Sequence, residues 1–123
     1  MAAPTQLPIY KVAYDLFRLI MEMVRNIPRD LKQLVGSRLA SEAMEIVTLI
    51  FRANEAADKV PHLNELIERL GVINLQLRLS RDMHLISTKQ YAAAIALTDQ
   101  VGKQAGGWRK HSASSPAVSR SRP

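Results

Sequence analysis

Apolar positions recur at three- and four-residue spacing along most of the chain. Ile9, Val12, Leu16, Leu19, Ile20 and Met23 form the first such series, which is one face of a helix. They predict a helix over residues 8–26. Pro8 suits its first turn, and "NIPRD" closes it, because Pro28 turns Ile27 away from helical backbone. Val35, Leu39, Ile46, Leu49, Ile50, Ala53 and Ala57 predict a second helix over 29–58. Asp30 is its expected N-cap, with Gln33 at capping-box spacing, and Lys59 is placed to favour the negative end of the dipole. Leu63, Leu66, Leu70, Ile73 and Leu77 predict a third helix from Pro61 to about Met83. A fourth opens at "STKQ", with Ser87 as N-cap and Gln90 at N3. Tyr91, Ala94, Leu97, Thr98, Val101, Ala105 and Trp108 continue it, and Gly106–Gly107 weakens its end. The connections are short, so neighbours run antiparallel. The pattern therefore predicts an all-α, up-down-up-down four-helix bundle over residues 1–110. "KHSASSPAVSRSRP" offers almost nothing to bury, and residues 111–123 read as a disordered basic tail.

A lone bundle needs one apolar stripe per helix, and three of these helices carry two. Tyr10, Tyr14, Phe17, Met21 and Val24 lie beside or behind the main stripe of the first. Ala40, Met44, Val47 and Phe51 do the same on the second. On the third, Val72, Leu75, Leu79 and Met83 lie nearly opposite Leu70, Ile73 and Leu77, since each residue advances by about 100°. Single exposed apolar residues are ordinary. Three coordinated stripes on a small domain mark an interface and predict a homo-oligomer of bundles packed side by side. Tyr14, Phe17, Met21, Met44, Phe51, Val72, Leu75 and Leu79 are its expected contact residues.

Charge adds a partner to this picture. The net charge is +6 over 123 residues, and Lys89, Lys103, Arg109, Lys110, Arg120 and Arg122 face only Asp99 after residue 82. Such an excess suggests a polyanion, nucleic acid before membrane. There is no cysteine, which excludes disulfides and thiolate metal sites and suits a cytoplasmic protein. No apolar run is long enough to span a membrane, and "MAAPTQLPIYK" lacks the layout of a signal peptide.

Catalytic chemistry is poorly supplied. His62, His84 and His111 form no His-x-x-x-His or Glu-x-x-His step, so the carboxylate–histidine ligand sets of di-iron bundles are missing. His62 and Glu65 in "HLNE" are a helix-start contact rather than a metal site. "GKQAGGW" has neither the spacing nor the preceding strand of a phosphate loop. Serines sit at caps or in the tail, without a general base. Glu42, at the edge of the second helix's stripe, predicts a structural ion pair. The expectation is a protein that is not an enzyme and holds no cofactor or metal.

Four segments carry a family resemblance: "YDLFRLIMEMVRNIPRD" (14–30), "GSRLASEAMEIVTLIFRANEAADK" (36–59), "INLQLRLSRD" (73–82) and "ISTKQYAAAIALTDQVGKQAGGWRK" (86–110). In their order and spacing the chain resembles the accessory variability determinant (Avd) proteins of diversity-generating retroelements. It resembles more distantly the four-helix-bundle proteins encoded in intervening sequences of 23S ribosomal RNA genes, from which it departs at "RANEAADK". The resemblance implies a homopentameric barrel of bundles. It also implies binding to the retroelement's reverse transcriptase and to template-repeat RNA or its cDNA, without catalysis by the accessory protein. A different class of function, a self-assembling helical scaffold that binds only protein, stays open.

The basic residues expected to meet nucleic acid or the enzyme are Arg78, Arg81, Lys103, Arg109, Lys110, Arg25, Arg29 and Lys32. Arg78 lies between the two stripes of the third helix. It either pairs with Asp82 at i, i+4, worth a few tenths of a kcal/mol, or repeats around a ring and faces a polyanion. Arg81 either extends out of the core edge or joins it. Stacking aromatics are not interleaved with these residues, so the patches suit phosphate contact rather than base reading.

Overall fold

The computed structural model of the chain describes residues 3–114. Four long helices account for most of them, and there is no strand among the described residues: α1 (Pro8–Arg25), α2 (Ser37–Glu55), α3 (Val60–Asp82) and α4 (Thr88–Ala113). Each packs on its two neighbours in sequence, and α1 closes on α4. The result is the expected up-down-up-down bundle. Its core is aliphatic, built around Leu16, Ile20, Leu39, Ile46, Leu49, Leu66, Ile73, Leu77 and Val101, with Ala13, Ala43, Ala94 and Ala105 where helices approach closely. Truncating one of these leucines to alanine costs about 2–5 kcal/mol in such a setting.

α1 begins with Pro8 in its first turn and ends at Arg25, where the Asn26 N–H reaches the Met23 carbonyl. The chain re-enters helix almost at once. The N–H groups of Leu31 and Lys32 both donate to the Pro28 carbonyl, at 3.0 and 2.8 Å. Pro28 therefore occupies the N-cap position, and no side chain caps this end. The Asp30–Gln33 capping box is not formed. Asp30 lies inside the first turn, where its charge still favours the helix dipole. A single α-turn (Arg29–Leu31) leads into a π-helical stretch (Lys32–Gly36) before α2 proper. The π-stretch brings Gly36 against α1, where an added Cβ would stand 2.8 Å from Val24 Cγ1.

α2 ends at Glu55, three residues before the predicted limit, and leaves Ala57 exposed instead of in the stripe. The Lys59 ammonium replaces the last turn. It donates to the carbonyls of Ala53, Asn54 and Ala56 at 3.0, 3.2 and 2.8 Å. α3 ends in a Schellman turn. The Leu85 N–H donates to the Ser80 carbonyl and the His84 N–H to the Arg81 carbonyl, with His84 in the left-handed region at φ 61°. The Ser87–Gln90 capping box forms as expected, at 3.0 and 2.9 Å. α4 runs through Gly106–Gly107 to Ala113 and buries Ser112. The described part of the expected tail, residues 111–114, thus belongs to the last turns of α4 and its C-cap. Arg120 and Arg122 lie outside the described residues.

Candidate interaction surface

The antiparallel order of the helices sorts the basic residues into two groups. Arg25, Arg29 and Lys32 flank the first connection, and Arg78 and Arg81 close α3 at the same end. Lys103, Arg109 and Lys110 lie at the opposite end, with Glu55, Asp58, Glu65 and Glu68. Arg18, Arg38 and Lys89 join the first group, so the half of the bundle bearing the two connections 26–28 and 83–87 holds eight basic side chains against Glu22, Asp30, Glu42, Glu45 and Asp82. Along the chain the positive excess lies late, whereas these eight side chains come from residues 18–38, 78–81 and 89.

Within that end the side chains differ in freedom. Arg78 is exposed and makes no ion pair or hydrogen bond among the described residues, so the Arg78–Asp82 pair is not formed. Asp82 is taken by Arg81, whose Nη2 and Nε donate to Oδ1 at 3.0 and 3.3 Å. The Arg81 guanidinium also lies 4.3 Å from the centre of the Tyr91 ring on α4, a cation–π contact. Arg81 is half-buried and immobilised. It braces α3 against α4 rather than reaching into solvent. Lys32 donates to the Arg25 carbonyl at 3.2 Å, while Arg25 and Arg29 are exposed. At the far end Arg109 donates to Asn64 Oδ1 at 3.0 Å, and Lys103 and Lys110 are exposed.

The second stripes reach the surface as predicted, though not uniformly. Tyr14, Met21, Met44, Phe51, Leu75 and Leu79 are exposed. Phe17 packs on the core and floors a hollow between α1 and α2 with Met21 and Met44. Val72 is half-buried. Tyr14, though exposed, has neighbours along its own helix. Its ring stacks on Tyr10, with centroids 6.0 Å apart, and Arg18 lies 5.9 Å from its centre. The most exposed large apolar residue, Leu34, is not one that periodicity points to. It lies in the π-stretch, where the 3.6-residue register does not hold. Arg38, the first turn of α2 beyond it, is missed for the same reason.

Glu42 and Arg69 form the expected ion pair, joining α2 to α3 at 3.0 Å. No group of three or more His, Asp or Glu side chains among the described residues is placed to hold a metal. No helix among them is long and apolar enough to cross a membrane. Two side-chain acceptors, Asn74 Oδ1 and Gln76 Oε1, are buried on α3 without a hydrogen-bond partner.

Fold and surface together define a small helical bundle with basic side chains gathered toward one end and exposed apolar bands on its helices. The family model described as bAvd-like matches residues 7–112, and the chain belongs to that family, the bacterial accessory variability determinants of diversity-generating retroelements. Its role is accordingly that of an accessory, in a family of non-catalytic proteins. No curated protein matches the chain.

Proposed function

We propose that the chain is the accessory subunit that holds a retroelement's reverse transcriptase and its template RNA together during mutagenic cDNA synthesis. Copies pack side by side through the exposed apolar bands of α1, α2 and α3, at Tyr14, Met21, Met44, Phe51 and Leu75, into the homopentamer the family resemblance implies. The observation that carries the RNA-binding part is the clustering at one end of eight basic side chains drawn from three separate stretches of sequence. Side-by-side packing repeats that end around a ring, and phosphate affinity rises with the number of charges engaged at once. Arg78, Arg29 and Arg25, exposed at that end, are the contacts expected to matter most.

Light scattering of the purified chain, with and without structured RNA at low and moderate salt, tests this reading. The expected result is a pentamer whose mass rises with RNA and returns as salt increases. A monomer indifferent to RNA would remove both the assembly and the RNA-binding role. An oligomer indifferent to RNA at every salt concentration would leave a scaffold that binds only protein.

A further inference from the structure

Methionine is among the side chains most often sealed in protein interiors, and Met23 follows that rule at 1% exposure. The other three methionines among the described residues do not: Met21 is 39% exposed, Met44 51% and Met83 67%. Met21 and Met44 stand on adjacent helices and line one open hollow of about 490 Å³, with Phe17 and Ala40 as its further apolar lining. Its polar lining is Ser41 and Glu45, a hydroxyl that can donate and a carboxylate that only accepts. The hollow lies in the apolar band through which copies are proposed to pack. A thioether is apolar and adaptable, and so suits such a contact. It is also an apolar group that a mild two-electron oxidant makes polar. Phe51 and Leu75, in the same set of contacts, have no such chemistry. The chain has no cysteine, so no thiol of its own intercepts the oxidant first.

We propose that Met21 and Met44 make assembly of the chain sensitive to peroxide. This rests on the side-by-side packing described above. The sulfur lone pair attacks the terminal oxygen of a hydroperoxide. An S–O bond forms, the O–O bond breaks, and the proton of the transferred hydroxyl passes through solvent to the leaving oxide. The thioether loses two electrons and becomes a sulfoxide, and the hydroperoxide gains them and leaves as water or an alcohol. The sulfoxide oxygen then needs a donor when a second copy covers the band. Ser41 supplies one hydroxyl for two such oxygens, and Glu45 supplies none. Two sulfoxides therefore oppose the burial that two thioethers favour. Packing covers both sulfurs, so the oxidant acts on the free chain and bars it from joining, while assembled copies are spared. Met83 is oxidised as well, but it lines a different hollow, with Leu34 and Leu79, and has no part in the switch. A thiol-dependent methionine sulfoxide reductase removes the oxygen as water and restores the band.

The test treats the full-length chain, dilute enough to be unassembled, with hydrogen peroxide. Peptide mass spectrometry reads oxygen uptake at each methionine, light scattering over a concentration series reads assembly, and thermal unfolding reads the fold. Met21 and Met44 are expected to gain oxygen and Met23 is not, with the melting transition kept. The concentration at half-assembly is expected to rise about tenfold or more, the scale of a polar group buried without its hydrogen bond, and to return after treatment with the reductase and a dithiol. Met21→Leu combined with Met44→Leu keeps side chains of similar volume. This pair is expected to assemble like the wild type before and after peroxide, although Met83 still gains oxygen. Met21→Gln combined with Met44→Gln puts polar groups in the same places and is expected to weaken assembly without any oxidant. Wild-type chain that gains both oxygens yet assembles at an unchanged concentration would overturn the inference while leaving the packing standing. So would sulfurs that peroxide does not reach in the free chain, a leucine pair that loses assembly on oxidation as the wild type does, or loss of the melting transition, which would place the damage in the core. Untreated wild-type chain that never assembles would remove the packing itself, and this inference with it.

Discussion

His84 holds a left-handed backbone conformation in the turn between α3 and α4. Histidine visits that region more readily than most residues, yet it bears a cost that glycine does not. The position is the C′ residue of a Schellman turn, where glycine is preferred. His84→Gly is therefore expected to stabilise the protein by about 0.5–1 kcal/mol, read as a higher denaturation midpoint with an unchanged slope. A decrease would mean that the imidazole makes a stabilising contact outweighing the backbone strain. The residues near this turn also show where side-chain partners were legible. The Ser87–Gln90 box and the Glu42 ion pair follow from spacing and from the position of a carboxylate at the edge of a stripe. The stacking of Arg81 on Tyr91 does not. It joins residues on different helices, and helical spacing carries no signal for it.

At the scale of the element, two glycines with similar local sequence weight have opposite roles. Gly107 stands in α4 with nothing within 4 Å of an added Cβ, whereas Gly36 faces Val24 at 2.8 Å. Gly107→Ala is expected to stabilise by about 0.5–1 kcal/mol through helix propensity. Gly36→Ala is expected to destabilise by about 1–3 kcal/mol, because α1 must move or Val24 must change rotamer. Urea denaturation of the two variants side by side checks both signs. The four long helices themselves were legible, since a core of aliphatic residues at three- and four-residue spacing is what a bundle requires. The start of the second was not. Asp30 and Gln33 have the spacing of a capping box, but Pro28 already accepts the first two N–H groups through its carbonyl, so the side chain of Asp30 has no capping role to fill. The π-stretch that follows then shifts the register, and Leu34 emerges where a 3.6-residue pattern does not look for it.

For the whole molecule, the antiparallel order places the starts and ends of different helices side by side, and the charge distribution depends on that. If the basic end engages the phosphate backbone, Arg29→Glu combined with Arg78→Glu should flatten the dependence of log affinity on log salt by about 1–2 units, roughly one per lost phosphate contact. Lys103→Glu with Lys110→Glu, the same charge change at the opposite end, should leave that slope nearly unchanged. Filter binding or fluorescence anisotropy against one structured RNA across a salt series distinguishes the two ends. Equal losses from both pairs would mean that net charge alone draws the RNA.

The sequence by itself determined the helices, their main buried stripes, the antiparallel bundle and the family, because each is written in local spacing or in the order of segments along one chain. It also showed that three helices carry more apolar surface than one bundle buries. Only the tertiary structure decided which basic residues stand together, that Arg81 is held by Asp82 and Tyr91 while Arg78 is left free, and that Leu34, Leu79 and Met83 open onto one hollow beside an unpaired Gln76. Those are relations between residues distant in sequence. They depend on which helix ends the fold brings together and on a five-residue change of helical register, and neither repeats with a period that a linear pattern can display.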